Sequence, residues 1–516
     1  MRRGLRSGGP VAVLAVLAAA CGARLTPAQH AVYDAPERAG AAGVAGPGPA
    51  ASPGVGLGPG NLVTSIAAPA SVGGVPPAGG GAVVPSAARV AGPTASASGR
   101  LNPTPTAGPK RSGTPAQAYG IDSATGSVSI DPAVCRATAG GPGVTATEID
   151  LGNVSTLSGP IPGIFLGAVH GAQAFATYVN SIGGICGRKL VIKSGDDNLQ
   201  ESQNAAATQQ LASQVFAFLG SFSADDGGGA PTLRSTGVPD IGQSLSKDRF
   251  NLPNNFAPEP INGWNVAPYL FFKKLEPEAS QHMAIFGANQ SVGHEEYLHN
   301  KQAMLNAGMK IVYDNPNIEP TQTDYSADAQ AMKAAGAQGV VWASTAGIMA
   351  DTAKAIQNAG ISPFPLALYG TTAYDQAFVQ QAGSASDGVI LYLEEAMFQG
   401  EDAAVVPIIG TFNRYYQALY HQVPDEYAMY SWISGLLFIE GLNKGGALNQ
   451  KALLTGLKRV TSFDAGGMVA PEDPADKKPP TCYIIVRLQG GKYTRDASNP
   501  TGFNCQYAPN YYYATD

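Results

Sequence analysis

The sequence predicts an α/β protein with two lobes, each a parallel sheet doubly wound with helices. From residue 144 onward, short apolar strands alternate with helical segments, a pattern typical of parallel sheets covered on both faces. A Pro-rich passage at 253–260 divides this alternation into two runs. The chain has 516 residues, which exceeds the size at which a single core stops growing, so at least two packed units are expected.

The first run begins with a strand at 149–155 and a helix whose apolar residues recur every three or four positions through 164–182. Gly183 and Gly184 end this helix, because glycine readily adopts the backbone that closes a helix. The later elements of the run are predicted as strand 189–193, helix 201–213, strand 215–219, helix 224–236 and strand 238–241.

The second run repeats the alternation after the Pro-rich passage. Its helices are predicted at 262–274, 292–307, 325–335 and 346–359, and its strands at 283–286, 310–313, 339–343, 366–369 and 388–393. The tail is predicted as mostly helical over 403–459, followed by a strand at 483–488 and a hairpin-like turn at 490–493.

The N-terminus indicates export. Three arginines in the first six residues precede a short apolar run at 11–20, which is too short to span a bilayer. Cys21 follows small residues at the end of this run, as in a bacterial lipoprotein box, although Ala18 stands where that pattern prefers leucine. We therefore predict a signal peptide at 1–21 with lipidation of Cys21, and ordinary cleavage after an A-x-A site is the alternative.

Residues 22–140 are predicted to be a low-complexity linker. The central part, 41–100, is rich in Gly and Pro and has no Phe, Tyr or Trp. Such a segment buries too little apolar area to offset the entropy lost on ordering. We therefore expect a long stalk between the membrane and the folded part.

The remaining four cysteines are Cys135, Cys186, Cys482 and Cys505. An even number in an exported chain indicates disulfides, with three possible connectivities. We predict nearest-neighbour pairing, Cys135 with Cys186 and Cys482 with Cys505. A zinc site is disfavoured because no two cysteines have C-x-x-C spacing.

Several function classes are disfavoured by the sequence. The net charge of −6 and the absence of a basic stripe argue against a nucleic-acid partner. H-E-x-x-H, G-x-S-x-G and P-loop motifs are absent. His294, Glu295, Glu296 and His299 resemble a metal cluster in composition. The two histidines are five apart and so lie on different faces of the predicted helix, and the stretch is interpreted as a solvated helix start. We predict a binding protein rather than an enzyme, with no metal and no cofactor.

Over about 144–495 the chain resembles the type I periplasmic-binding fold, specifically the branched-chain amino-acid binding proteins of ABC importers. The matching stretches, in chain order, are VSTLSGP at 154–160, AFATYVNSIGGICGR at 174–188, SGDDN at 194–198, FLGS at 218–221, GVP at 237–239 and QSVG at 290–293. Each stretch is short, but their order matches that of the family.

The resemblance implies two lobes joined by a multi-strand hinge, with lobe 1 at 141–257 and 395–470 and lobe 2 at 258–394 and 471–516. It also implies that the lobes close around a small polar solute, such as an amino acid, and that the protein delivers this solute to an ABC permease. The protein would lie outside the cytoplasm, anchored to the outer face of the cell membrane. A ligand sensor of the same fold, docking on a membrane receptor, is the alternative.

By the family pattern, ligand contacts are expected in loops that follow strands and at the start of one helix. The candidate residues are Ser158, Ser221, Phe222, Ser223, Gln243, Ser244, Asn289, Gln290, Thr345, Tyr369, Thr372 and Tyr427. Two positions depart from the pattern: Val292 stands where the family has an aromatic residue, and Thr372 where it often has an acid.

Purely structural roles remain open for several of these positions. Ser223 is also a natural helix cap, and Asp225 and Asp226 are interpreted as acids in a first helical turn. Asp375 is interpreted as a capping acid. Aromatic residues at helical spacing, such as Tyr427 and Tyr430, can equally belong to the core.

Overall fold

A computed structural model describes residues 119–508 and 511–513. Short gaps within this range fall at 138, 162, 261–262, 362–365 and 481. The predicted signal peptide, Cys21 and most of the predicted linker lie outside the described residues. The described part contains two parallel-stranded sheets covered by helices, which confirms the predicted fold class.

The first described elements are an antiparallel hairpin, β1 (Gly120–Asp122) with β2 (Ser127–Ser129), and the short helix α1 (Pro132–Arg136). Val134 of α1 is fully buried in the main core. Asp131 caps α1 by accepting a hydrogen bond from the Ala133 amide. The linker was predicted from composition to extend to residue 140. The structure shows instead that its last part, from residue 120, packs on lobe 1.

Lobe 1 is built on a four-stranded parallel sheet in the order β4-β3-β5-β6. Its elements are β3 (Glu148–Ser155), α2 (Leu166–Ser181), β4 (Lys189–Asp196), α3 (Glu201–Ala212), β5 (Ala217–Leu219), α4 (Ala230–Thr236), β6 (Asp240–Ile241) and α5 (Lys247–Phe250). A 3₁₀ turn over 226–229 precedes α4, so the predicted helix at 224–236 starts later than expected.

Lobe 2 is built on a larger sheet. The elements up to its fifth parallel strand are β7 (Gly263–Asn265), α6 (Ala267–Leu275), β8 (Met283–Ala288), α7 (Ser291–Asn306), β9 (Ile311–Ile318), α8 (Ser326–Ala334), β10 (Gly339–Trp342), α9 (Ala346–Asn358), β11 (Leu366–Tyr369), α10 (Gln376–Ala382) and β12 (Ile390–Leu393). The predicted helix at 262–274 is wrong at its start, because a strand precedes it and Pro268 sits in the first turn of α6.

The tail returns to lobe 1 as α11 (Pro407–Tyr420), α12 (Glu426–Gly445) and α13 (Gln450–Leu457). These helices divide the predicted helical stretch at 403–459. The first break follows α11 at His421, and the second follows α12 at Gly446, both in the left-handed conformation that ends a helix.

The chain then completes the lobe 2 sheet with the hairpin β13 (Ile484–Gln489) and β14 (Lys492–Arg495). The sheet order is β14-β13-β12-β11-β10-β8-β9, parallel except for β13 and β14. The predicted final strand and turn are therefore confirmed. The strand β15 (Tyr511–Tyr513) pairs with β7 outside this sheet.

The described chain passes between the lobes near 257–260, 393–397 and 468–480. The second and third passages run antiparallel to each other. The Ala396 amide donates to the Met468 carbonyl at 2.7 Å, and the Ala470 amide donates to the Glu394 carbonyl at 2.7 Å. The lobes are thus joined by hydrogen-bonded chain passages, as the resemblance implied.

The core of lobe 1 depends on close contact between α2 and α12. A Cβ added at Gly171 would lie 2.1 Å from the Ala428 carbonyl oxygen, and one at Gly435 would lie 2.4 Å from the Phe175 ring. Only glycine permits this approach. The result is a helix α12 that is buried along nearly its whole length beside the site described below.

Two disulfides join Cys135 to Cys186 and Cys482 to Cys505, which confirms the predicted pairing. The first attaches α1 to the loop after α2. Each closes a loop and restricts the unfolded chain, an effect typically worth about 2–4 kcal/mol. Within the described residues, no helix is both long and apolar enough to cross a membrane.

A buried ion pair supports the end of lobe 1 that faces the site. The Arg249 guanidinium donates to both carboxylate oxygens of Asp240, at 2.9 and 2.7 Å, and neither side chain is more than 1% exposed. Asn255 also donates to Asp240, at 2.8 Å. Burial makes this pair costly to break, because the remaining charge would stay buried without its partner.

We expect Asp240→Asn to lower the free energy of unfolding by about 3–5 kcal/mol, because it removes the charge that compensates Arg249. Urea denaturation measures the change. Asp150→Asn is the matched control, since the Asp150–Lys193 pair is partly exposed, and should cost no more than about 1 kcal/mol. Equal losses in the two variants would contradict this assignment.

Candidate ligand-binding site

A cavity of about 440 Å³ lies between the two lobes. Lobe 1 contributes loops that follow β3, β5 and β6, and the start of α12. Lobe 2 contributes loops that follow β8, β10 and β11, and part of α7. In parallel sheets these loops share one edge, so ligands bind outside the carboxyl ends of the strands. The volume is in the range of small-molecule sites.

Three aromatic rings form the lobe 1 wall of the cavity. Phe165, Phe222 and Tyr427 each have their ring centroid 4.8 Å from those of the other two. Their planes are tilted by 53° to 73°, the edge-to-face packing that aromatic rings prefer. This mutual packing holds the rings in place and gives the cavity a rigid apolar face.

The lobe 2 wall is also rich in aromatic residues. Trp342 ends β10 and Tyr369 ends β11, and both are nearly fully buried. Trp264 packs against His299 with ring centroids 5.5 Å apart. Burial lowers the pKa of His299, and Lys247 lowers it further. A neutral imidazole therefore faces the cavity at neutral pH.

The polar lining is strongly acidic. Among the described residues around the cavity, none is Lys or Arg. The carboxyl groups in this lining belong to Asp225, Glu259, Glu295, Glu296, Glu394 and Glu426. They come from both lobes and from two of the passages between them.

Glu426 lies at the start of α12 and connects the lobes. The Thr371 hydroxyl of lobe 2 donates to its Oε1 at 2.6 Å. Its other oxygen, Oε2, has no hydrogen-bond partner among the described residues, and neither has the hydroxyl of Tyr430 one turn further along α12. Burial raises the pKa of Glu426 to about 8. Hydrogen bonding by Thr371 and the nearby Tyr430 hydroxyl opposes this shift, and the carboxyls of Glu259 and Glu296 add to it.

Glu259 and Glu394 lie on the first and second passages between the lobes. Burial raises the pKa of Glu259, and it raises that of Glu394 well above its usual range, with Glu259 adding to the shift. Asn265 donates to Glu394 at 3.2 Å. Burial raises the pKa of Glu296 on α7 to about 7, and Glu259 adds to this effect. Glu259 thus opposes the ionisation of Glu296, Glu394 and Glu426, whereas Tyr430 and Glu394 lower the pKa of Glu259 itself.

Two further glutamates lie beside these passages. Glu395 and Glu472 are 1% and 4% exposed, and none of their carboxyl oxygens has a hydrogen-bond partner among the described residues. Burial raises both pKa values well above the usual range, with nearby glutamates adding to the shift. The second and third passages therefore each carry a buried carboxyl, and the first carries the half-buried Glu259.

The structure brings together part of the predicted site. The predicted residues that line the cavity are Phe222, Gln243, Gln290, Thr345, Tyr369, Thr372 and Tyr427. Val292, where the chain departs from the family pattern, also lines it. These residues come from both lobes, and as ligand contacts they stay a prediction.

The other predicted residues lie outside the lining because their polar groups bind the protein itself. Ser158 donates to Asp196, Ser223 donates to Asp197, and Ser221 accepts from the Val154 amide. Ser244 accepts from the Asn255 amide group, and Asn289 donates to Glu319. Their hydrogen bonds stabilise the loops around the cavity.

Several alternatives left open by the sequence are now decided by contacts. Asp375 caps α10 by accepting from the Ala377 amide at 2.7 Å, as its structural interpretation predicted. Asp225 lines the cavity, whereas Asp226 is fully buried and accepts from the Leu245 and Ser246 amides. Tyr430 lines the cavity and is 3% exposed, so it serves both core and site.

The family comparison agrees with this geometry. The family model described as periplasmic binding protein matches residues 148–492. The chain belongs to the periplasmic binding protein family. Membership confirms the resemblance drawn from the sequence, and it confirms a binding protein rather than an enzyme. A search of curated proteins finds no significant match.

Solved structures show the same fold for this binding protein at low identity. An ABC transporter substrate-binding protein from Sphaerobacter thermophilus has a TM-score of 0.58 at 20% identity, covering 69% of this chain and 99% of that one. A fatty acid ABC transporter substrate-binding protein from Thermomonospora curvata has a TM-score of 0.59 at 17% identity, covering 69% and 92%. The isoleucine complex of LivJ from Streptococcus pneumoniae has a TM-score of 0.54 at 18% identity, covering 67% and 98%.

Sequence reasoning missed most of the acids in the binding protein's cavity. Glu296 and His299 were interpreted as part of a solvated helix start, which is wrong because both line the cavity. The pair Glu394–Glu395 directly follows the buried strand β12. This position at the end of a strand was the one feature of the sequence that could have indicated acids in the cavity. No group of described residues has the arrangement of a metal site.

We expect the unliganded binding protein to lose stability as pH rises from about 4.5 to 8. In this window the glutamates of the unfolded chain are ionised, whereas burial keeps Glu426 protonated up to about pH 8. The folded state then binds more protons than the unfolded state, so stability falls by up to about 1.4 kcal/mol per pH unit for each such group. Urea denaturation across this range measures the slope.

Glu426→Gln should flatten this slope, because it removes one titrating group and keeps an acceptor for Thr371. Glu278→Gln is the control, since Glu278 is exposed and its removal should leave the slope unchanged. A stability that rises with pH in the unliganded protein would show that the cavity acids do not control it.

Proposed function

We propose that this chain is an extracytoplasmic solute receptor that encloses a small organic molecule between its lobes and delivers it to an ABC permease. The observation that carries the proposal is the cavity of about 440 Å³ lined by residues of both lobes. A site divided in this way couples binding to closure, because the ligand completes its contacts only when the lobes meet.

The nature of the lining supports binding over chemistry. Apolar and aromatic side chains form most of the walls, with a few polar groups between them, as in small-molecule sites. The solved relatives support the transport role, since their names place them with ABC transporters. Recognition of the closed form by a permease would then separate loaded from empty receptors.

We expect the gently purified protein to carry a small organic molecule that native mass spectrometry detects. Tyr427→Ala should reduce the retained fraction at least tenfold, because truncating a buried aromatic contact commonly costs about 2 kcal/mol or more. Tyr427→Phe, which keeps the ring, should retain the molecule. The proposal fails if no molecule is retained and no member of a broad solute library raises the melting midpoint.

We also propose that Cys21 carries a lipid that tethers the receptor to the outer face of the membrane. The support is the apolar run at 11–20 that ends in small residues and Cys21. Cells grown with an alkyne-labelled fatty acid should yield labelled receptor in the membrane fraction. Cys21→Ala should abolish the label and release the receptor, whereas label retained in Cys21→Ala would overturn the assignment.

A further inference from the structure

We propose that the ligand of this cavity is a protonated organic amine with an apolar body and no carboxylate of its own. This inference rests on the proposed function and names the chemical class of the solute. The observations that carry it are a lining with carboxyl groups but no Lys or Arg, and two buried polar groups facing the cavity without partners.

The first step concerns charge. Asp225 and Glu296 face the cavity from opposite lobes, and Glu259 and Glu394 face it from the passages between them. An anionic ligand would further oppose the ionisation of these carboxyls and would meet no Lys or Arg in the described lining to compensate its charge, which is unfavourable in a buried site. A cation instead supplies the opposite charge to several carboxyls at once.

The second step concerns the unpartnered groups. Glu426 and Tyr430 are 6% and 3% exposed and line the cavity. Oε2 of Glu426 and the Tyr430 hydroxyl have no hydrogen-bond partner of good geometry among the described residues, and a buried polar group without such a partner is unfavourable. Tyr430 is nevertheless close enough to Glu426 and Glu259 to lower the pKa of both carboxyls. An ammonium group has three N–H donors and can satisfy both acceptors. The geometry therefore favours an amine with N–H groups over a quaternary ammonium.

The third step concerns a carboxylate on the ligand, as an amino acid would have. The serines that the resemblance placed among the ligand contacts, Ser221, Ser223 and Ser244, bind other parts of lobe 1 and do not line the cavity. In lobe 2 the Thr371 and Thr372 hydroxyls donate to Glu426 and to the Ser344 carbonyl. The three serines therefore lie outside the lining, and the Thr371 and Thr372 hydroxyls within it already donate to other protein groups rather than to a ligand carboxylate.

The fourth step concerns the body of the ligand. The rings of Phe165, Phe222, Tyr427, Trp342 and Tyr369 surround a volume of about 440 Å³, far more than a metal ion occupies. Aromatic faces attract cations within about 6 Å of the ring centroid and also bury apolar carbon. An alkyl or arylalkyl amine uses both properties, whereas a hydrated metal ion uses neither.

The test compares ligands that share a body and differ in charge. The first set is 2-phenylethylammonium, L-phenylalanine, 3-phenylpropionate and 2-phenylethanol, and the second replaces the phenyl body by an isopentyl body. Calorimetry and melting midpoints are measured at pH 8 on ligand-stripped protein. Within at least one set, the amine should bind at least tenfold more tightly than the zwitterion, the anion and the alcohol. Its N-trimethyl derivative should bind more weakly than the amine.

Variants and pH test the role of the carboxyls. Glu426→Gln and Glu259→Gln should each weaken amine binding at least tenfold, while Glu278→Gln, at an exposed position, should not change it. Amine affinity should rise between pH 6 and 8.5, because Glu296 and Glu426 ionise in that range while the amine stays charged. A site that recognises only the shape of its ligand would show no such pH dependence of amine affinity. If a variant fails to fold, the pH dependence measured on the wild-type protein still tests the inference.

The outcomes separate this inference from the proposed function. Tightest binding of the zwitterion, the anion or the alcohol, stabilisation by Ca²⁺ or Mg²⁺ alone, or no binding by any amine would overturn the inference. A non-cationic molecule found in the gently purified protein would also overturn it, while leaving the receptor function intact. Only a protein that retains and binds no small molecule would remove both.

Discussion

The structure depends on one geometric constraint: all parallel strands of a sheet end at the same edge, and here two such edges face a common gap. In lobe 1 the loops after β3, β5 and β6 reach this gap, and in lobe 2 the loops after β8, β10 and β11 do so. The passages between the lobes lie beside the same gap, so Glu259 and Glu394 join its lining. The site therefore belongs to neither lobe alone.

This constraint has an energetic consequence. Carboxyl groups placed where chain passages and strand ends converge are removed from water, and burial raises the pKa values of Glu394, Glu395 and Glu472 well above their usual range. Protonation of these carboxyls reduces the free energy lost by burying them but does not remove it. The fold compensates elsewhere, through the close packing of α12 on α2, two disulfides and the buried Asp240–Arg249 pair. Strain accepted at a functional site and offset in the scaffold is a common arrangement.

The sequence predicted the architecture well because alternation of buried strands and helices is a local signal. It predicted the disulfide pairing, and Phe222, Gln243, Tyr369 and Tyr427, which it named as ligand contacts, line the cavity between the lobes. It failed where the answer depends on which group a side chain meets in space. Ser223 donates to Asp197, 26 residues away in sequence, and this partner decides that the hydroxyl is not available to a ligand.

The acidic residues of the cavity also show that sequence position does not reveal which groups meet in space. The family pattern often places an acid near residue 372, where this chain has threonine, and the next acid in the sequence, Asp375, was interpreted as a capping residue. In the structure Asp375 caps a helix, and the carboxyl near this position comes from Glu426 of the opposite lobe, bound by Thr371 at 2.6 Å. Position in the sequence could not reveal this exchange, because the two residues meet only when the lobes do.

The Thr371–Glu426 hydrogen bond also links the charge of the cavity to its closure. It joins the lobes at a carboxyl that burial keeps protonated to about pH 8 in the unliganded protein. A cation beside Oε2 would stabilise the ionised form, and a hydroxyl donor binds an ionised acceptor more strongly than a neutral one. Binding of an amine would thus strengthen the contact that holds the lobes together, so that charge recognition and closure become one event.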